Sequence, residues 1–444
     1  MATGTVTAIR SDRRLADFID GLSLGDVPGP TQKRAALLVA DLAAVCVAGR
    51  PAPASRIALE YARAVHAGTE ATALLDGSRL GAAGAAFANA VLANVLDFDD
   101  GHRLTKGHPG AVVIPAALAV AQLVDASPAE FMSAVIVGYE VAIRAGIALH
   151  GRDPAYHASG AWGGLGAAAA TARLLGLSAD QTIAALGLAE YHAPIAPIMR
   201  SCAEPQMTKD ACGWGAVTGV SSALLAARGF TSVRAEFLDS DLDDLGERWA
   251  LQELYIKAYP CCRWSQGAIA AARAAGDGKP LGAADIERVR IRTFAAADGL
   301  AKVVPVTTEE AQYNLIWPVA CVLVRGEFGV DEVLGPFTDP GVAAVFARTD
   351  VVVDPELTAA FPQRRLTAVE ISLGDGRSLS AGPVEAAGEP GDPGLGGLVA
   401  AKVKALMGPQ AAAAAPPETV GLSRLTADQL VGLMCDAGPV VTHA

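Results

Sequence analysis

Up to about residue 265 the apolar positions recur every three to four residues, the period of an α-helix buried along one face or more. This spacing predicts helices over Leu15–Leu22, from Thr31 through Val47, and over Ala54–His66, Ala82–Leu96 and Ala111–Val124. In the second of these, Leu37, Leu38, Asp41, Leu42 and Val45 fall at helical spacing. Ser127-Pro128-Ala129-Glu130 and Ser178-Ala179-Asp180-Gln181 each place a serine three residues before Glu or Gln. That arrangement satisfies two free backbone N–H groups reciprocally, so these are predicted starts of helices running through Leu149 and Glu190. Gly160–Leu175 is almost uncharged and rich in Gly and Ala, and it reads as a helix buried on all sides. Met207–Arg228 is a segment of the same kind, entered through a polar turn.

Later the period shortens to two. Val289, Ile291 and Thr293 alternate with arginines inside Ile286–Phe294, and Leu366–Leu373 and Ser378–Val384 flank the turn Gly374-Asp375-Gly376-Arg377. Val351, Val352 and Val353 form a strand-like run ending at Asp354-Pro355. Helical spacing returns at Leu395–Met407 and at Thr426–Ala437, which Thr426 and Gln429 open, with the Ala-Pro segment 410–417 as a flexible connection. The expected fold class is mainly α with a smaller α+β domain. Residues 1–266 and 393–444 make an all-helical domain, and 267–392 an inserted α+β domain.

Composition sharpens this picture. The 444 residues are 52% hydrophobic and 18% charged, which favours a packed core over disorder. Asp41, Pro115, Gln122 and Asp125 interrupt the apolar runs before the roughly 20 residues that a membrane span needs. Arg10, Asp12, Arg13 and Arg14 break any secretory pattern, so the expected location is cytoplasmic. Seven scattered cysteines without a C-x-x-C pair point to reduced thiols and away from zinc or iron–sulfur ligation. A net charge of −12 argues against nucleic acid and anionic membranes as partners. If the substrate is anionic, the cations that hold it must be local and few.

The chemistry concentrates in one stretch. Residues 97–108 hold Asp97, Asp99, Asp100, His102, His108, Arg103 and Lys106 between two nearly uncharged helices. Polar groups carried into an apolar setting need partners or a task. His108-Pro109-Gly110 stands where the second helix begins, with free backbone N–H groups that welcome an anion. Similar polar turns recur at Tyr156–Gly160, Met207–Gly215 and Tyr255–Gln266. Each brings a histidine or lysine to the entrance of an apolar helix. A lysine so placed needs a carboxylate, an anionic ligand or a lowered pKa, as a catalytic base or anion clamp would.

Plainer readings compete. His157 can be a structural hydrogen-bonder, and Asp97, Asp99 and Asp100 can cap turns. Asp99, Asp100, His102 and His108 are metal-ligand types without a metal spacing signature, so no metal is expected. Gly163-Gly164-x-Gly166 lacks a preceding strand and reads as helix packing. No nucleophile motif surrounds Cys261-Cys262.

Four motifs together carry a resemblance. Leu96-Asp97-Phe98-Asp99-Asp100 with His108-Pro109-Gly110, His157-x-Ser159-Gly160-x-Trp162-Gly163, Lys209-Asp210-x-x-Gly213-Trp214-Gly215, and Lys257-x-Tyr259-Pro260-x-Cys262-Arg263-Trp264 resemble the successive motifs of the MmgE/PrpD family. That family includes 2-methylcitrate dehydratases, cis-aconitate decarboxylases and iminodisuccinate epimerase. The resemblance implies a helical domain with an α+β lid, a homodimer, no cofactor, and a small di- or tricarboxylate substrate. It implies proton movement at the carbon beside a carboxylate, in a dehydratase-like lyase or alternatively an epimerase. An inactive binding or scaffold homologue is the reading of another class. Catalytic roles are implied for Asp100, His108, His157, Lys209 and Lys257, and substrate contacts for Asp97, His102, Arg263, Gln266 and Trp317. Where the family often has Thr, His, Ser and Tyr, this chain has Gly101, Gln266, Asn314 and Trp317, which implies a related but different anionic substrate.

Overall fold

A computed structural model describes residues 2–414 and 424–437. The connection expected over 410–417 runs beyond the first of these spans. Ten helices come first: α1 (Ala2–Gly21), α2 (Gly29–Ala48), α3 (Pro53–Val65), α4 (Ala82–Asn94), α5 (Pro109–Leu123), α6 (Pro128–Arg152), α7 (Ser159–Leu174), α8 (Ala179–Tyr191), α9 (Met199–Ala203) and α10 (Cys212–Ala226). The boxes at Ser127 and Ser178 form with both reciprocal hydrogen bonds, as does that of Thr426 before the last helix. The helix expected from Thr31 starts two residues earlier, at Gly29, with Pro30 in its first turn, where the missing N–H is not needed.

Helices α4, α5, α6, α7 and α10 pack against one another as the centre of the helical part. Small residues set their spacing. A Cβ on Gly215 would lie 2.6 Å from the Cα of Gly160, so α7 and α10 touch backbone to backbone. α6 is long and apolar enough to cross a membrane, contrary to the expectation that no run continues so far, but 83% of its most apolar window is buried within the protein.

The second part begins with α11 (Arg263–Ala275), which packs on a four-stranded sheet. The sheet is built from β1 (Ile286–Thr293), β2 (Thr349–Val353), β3 (Thr367–Leu373) and β4 (Ser378–Val384) in the order β2-β1-β3-β4. β1 and β2 are parallel, with Val289 opposite Thr349, whereas the β1–β3 and β3–β4 pairs are antiparallel. The chain then returns through α12 (Leu395–Ala414), which packs on α2, and α13 (Ala427–Asp436), which meets α2 and α5. Far from these elements in sequence, Gly101 and His102 pair antiparallel with Tyr255 and Leu254. This two-residue ladder draws the 97–110 turn against the Lys257 segment.

Candidate active site

The loop after α4 turns through Asp97, whose φ of 52° lies in the left-handed region, and the turn carries Asp97, Asp99 and Asp100 inward. His108 is the residue before Pro109 at the start of α5 and is likewise buried. Its Nδ1 stands 3.1 Å from Asp99 Oδ2 and 3.0 Å from the Asp100 carbonyl oxygen, and its Nε2 stands 3.3 Å from Asp97 Oδ1. Both ring nitrogens thus face acceptors. Burial alone disfavours the imidazolium, but Asp99 and Asp210 outweigh burial and the opposing charge of Lys257, raising its pKa to about 9. Lys257 comes from the opposite segment, 2.9 Å from Asp97 Oδ2 and donating to the Asp97 carbonyl at 2.8 Å. Burial would lower its pKa, yet the Asp97 carboxylate overrides this and raises it. Burial would in turn lift Asp97, but Lys257, Lys209 and His108 hold its carboxyl well below the usual range.

Asp210 closes the other side. The Ser159 hydroxyl accepts from the His108 backbone N–H at 2.8 Å and donates to Asp210 Oδ1 at 2.7 Å. The Tyr313 hydroxyl donates to Asp210 Oδ2 at 3.5 Å. Asp97, His108, Asp210, Lys257 and Tyr313 line a small polar cavity of about 70 Å³, together with Lys106, Arg263 and Arg365. A larger groove of about 690 Å³ lies next to it, between Tyr61, Phe87, Trp214 and Lys209. The ionisable groups Asp97, His108, Asp210 and Lys257 gather around the smaller cavity, so acid–base chemistry belongs there.

Of the ten expected site residues, Asp97, His108, Lys257 and Arg263 line the polar cavity. Lys209 borders the larger groove, its ammonium bound to Gln312 Oε1 and 5.2 Å from the centroid of the Tyr313 ring. The other five face elsewhere. Asp100 accepts from the Tyr139 hydroxyl at 2.5 Å and from the Gly110 N–H at 3.1 Å. Burial and the Asp99 charge push its pKa up to about 7 against the Tyr139 hydrogen bond. His157 turns toward Asp153, 3.4 Å away, and stacks on His150. His102 faces Glu253 at 3.5 Å. Gln266 donates to the carbonyls of Tyr259 and Cys261 and accepts from Ala258 N–H, tying the 258–262 loop to α11. Trp317 donates from Nε1 to the Glu332 carbonyl, in the α+β part.

Arg263 is in the cavity wall but already occupied. It donates to Glu389 Oε1 at 2.8 Å and to the carbonyls of Ala386 and Ala387. The substrate contact implied for Arg263 is corrected accordingly, because its guanidinium joins two parts of the chain.

Residues missed from the sequence include Asp210 and Tyr313, each adjacent to a residue that was singled out, and Asp99, read as a turn cap. Among the described residues, Asp97, Asp99 and His108 bring metal-ligand atoms within 4.8 Å of one another. Lys257 and the His108 imidazolium already supply cations there, so the set fits a divalent ion poorly. The four departures noted above now have local reasons. A Cβ at Gly101 would meet the Tyr255 hydroxyl at 2.3 Å, and Asn314 accepts from the N–H groups of Ile316 and Trp317.

Two family models match the chain: the MmgE/PrpD N-terminal domain over residues 13–241 and the MmgE/PrpD C-terminal domain over residues 259–416. A cis-aconitate decarboxylase-like protein of Aspergillus oryzae is 25% identical over 370 residues, covering 74% of this chain and 75% of the relative. The cis-aconitate decarboxylase of Aspergillus terreus is 25% identical over 287 residues, 58% of each chain. That of Homo sapiens is 30% identical over 226 residues, 48% of this chain and 45% of the relative.

Proposed function

The chain belongs to the MmgE/PrpD family, and from that premise we propose that it is a cofactor-independent enzyme moving a proton at the carbon beside a carboxylate. Its substrate is a small di- or tricarboxylate, and its reaction is of the lyase class. The observation that supports this most directly is the placement of Lys257, at 2.9 Å, and His108, at 3.3 Å, on the two oxygens of the one buried carboxylate of Asp97.

When carbon dioxide leaves, the electron pair of the broken C–C bond is delocalised into a neighbouring carboxylate as an enediolate and then takes a proton. In a dehydration the C–H proton leaves first and generates the same charge. Either course needs fixed cations beside the developing oxyanion and a group that delivers or accepts the proton. Lys257, kept charged by Asp97, suits charge neutralisation. His108, protonated near neutral pH, suits proton delivery to carbon. Lys209, bound to the neutral amide of Gln312 at the edge of the adjoining groove, adds positive charge toward Asp97, and a share of the charge neutralisation is assigned to it.

The relatives named as cis-aconitate decarboxylases favour tricarboxylates as the first compounds to try. Full-length protein would be incubated with cis-aconitate and related di- and tricarboxylates in deuterium oxide, following carbon dioxide, water loss and deuterium in the recovered acid. Carbon dioxide release or dehydration is the expected result. Deuterium uptake without net conversion would make it an epimerase, and neither turnover nor exchange with any of them would sink the proposal.

A further inference from the structure

Five cationic groups line the polar cavity, and four are matched to carboxylates. His108 faces Asp97 and Asp99, Lys257 faces Asp97, and Arg263 and Arg365 share Glu389. Among the described residues, the fifth, Lys106, has no carboxylate within ion-pair distance. Its ammonium rests over the Tyr156 ring, 3.5 Å from the centroid, with the Phe361 ring at 5.0 Å. An aromatic face attracts a cation without satisfying the three N–H donors of an ammonium. Donors remain for an anion.

The backbone fixes this placement. Lys106 sits at φ 48°, a left-handed conformation that L side chains rarely adopt, and its N–H donates to the His102 carbonyl oxygen at 2.9 Å. Gly107 then bridges back to His102. The side chain is half-buried, whereas Lys257 and His108 are fully enclosed. A cavity of about 70 Å³ holds only a handful of water-sized groups, less than a tricarboxylate occupies. The part of such a substrate beyond the reacting end extends outside this cavity, and of the cations that line it Lys106 is the one that is not buried. With a net charge of −12 on the chain, a free cation there is a local attraction against an unfavourable background.

We propose that Lys106 binds a second carboxylate of the substrate, and that the site thereby selects small anions carrying two or more carboxylates over those carrying one. This rests on the reading of the cavity as a carboxylate-chemistry site, and deepens it by naming the group that sets the charge of the accepted substrate.

The test is calorimetric titration of the full chain with cis-aconitate, three carboxylates, and crotonate, one. Wild type would be compared with Lys106→Met, Lys106→Arg and Lys257→Met. Lys106→Met should weaken cis-aconitate binding about tenfold or more, the scale of one charge-assisted contact, and leave crotonate binding or its absence unchanged. Lys106→Arg should recover most of the loss. Wild-type affinity for cis-aconitate in Lys106→Met, with loss in Lys257→Met, would overturn the role of Lys106 and leave the reading of the site standing. No binding of cis-aconitate by wild type would overturn both. An equal loss in Lys106→Met and Lys106→Arg, with a lowered melting temperature in each, would mark a defect of the loop and also overturn the assignment.

Discussion

Lys402, on the helix that returns from the α+β part, places its ammonium 2.6 Å from the buried carboxylate of Asp41 on α2. It also donates to the carbonyls of Phe98 at 3.0 Å and Lys257 at 3.1 Å, so it stands directly behind the reacting groups. Removing one partner of a buried pair leaves the other charge uncompensated, which typically costs about 3–5 kcal/mol. Lys402→Met should therefore lower the urea midpoint strongly, and adding Asp41→Asn should recover part of the loss. An unchanged midpoint in the single variant would show that the pair contributes nothing to stability.

Stability should decline from neutral to alkaline pH. His108 carries a pKa near 9 in the fold against 6.5 for an unperturbed imidazole, so the folded state holds a proton that the unfolded chain has lost in that window. Its contribution is fully present below pH 6.5 and disappears as the pH rises through about 9, on the order of 3 kcal/mol. His108→Gln should flatten this slope in urea titrations at several pH values, and a slope of the same size in the variant would assign it to another group.

Turnover should depend on His108, Lys257 and Lys209. His108→Gln, Lys257→Met and Lys209→Ala are each expected to lower kcat by roughly 10²-fold or more with folding retained. Near-normal turnover in His108→Gln and Lys209→Ala together would leave the family relationship as evidence of fold alone. Arg263→Ala, by contrast, should lower the melting temperature first, since the side chain joins Glu389 and the 386–387 carbonyls to α11.

Gly101→Thr should destabilise the protein by about 1–3 kcal/mol, the usual cost of overpacking. The new Cβ would meet Tyr255 at 2.3 Å, and that ring cannot swing aside easily because the guanidinium groups of Arg263 and Arg365 each lie 4.7 Å from its centroid. Thermal melts would decide it. A melting temperature equal to wild type would mean that the ring moves freely.

Exhaustive chelation should leave activity intact, because the Asp97, Asp99 and His108 atoms that could hold a metal are already matched by an ammonium and an imidazolium proton. Activity lost to chelator and restored by a divalent ion would refute this.

The sequence by itself determined the local elements. Helical spacing and three reciprocal caps located α6, α8 and α13, because these signals act over three to four residues. A turn of Gly and Asp between alternating apolar positions likewise announced the β3–β4 hairpin. The abrupt polarity of residues 97–108 marked the site for the same reason: charge inside an apolar helical region requires a partner or a task. Which partner was left to the tertiary structure. The 97–110 turn and the Lys257 segment meet where Gly101 and His102 pair with Tyr255 and Leu254, about 150 positions apart along the chain, and where Lys257 reaches Asp97. That pairing, with Lys402 behind it, turned Asp97 toward the cavity and Asp100 toward Tyr139, although both belong to one short acidic run. Side-chain direction in an irregular turn has no periodicity to read, so only the packed chain could separate the carboxylate that faces the cavity from the one turned toward Tyr139.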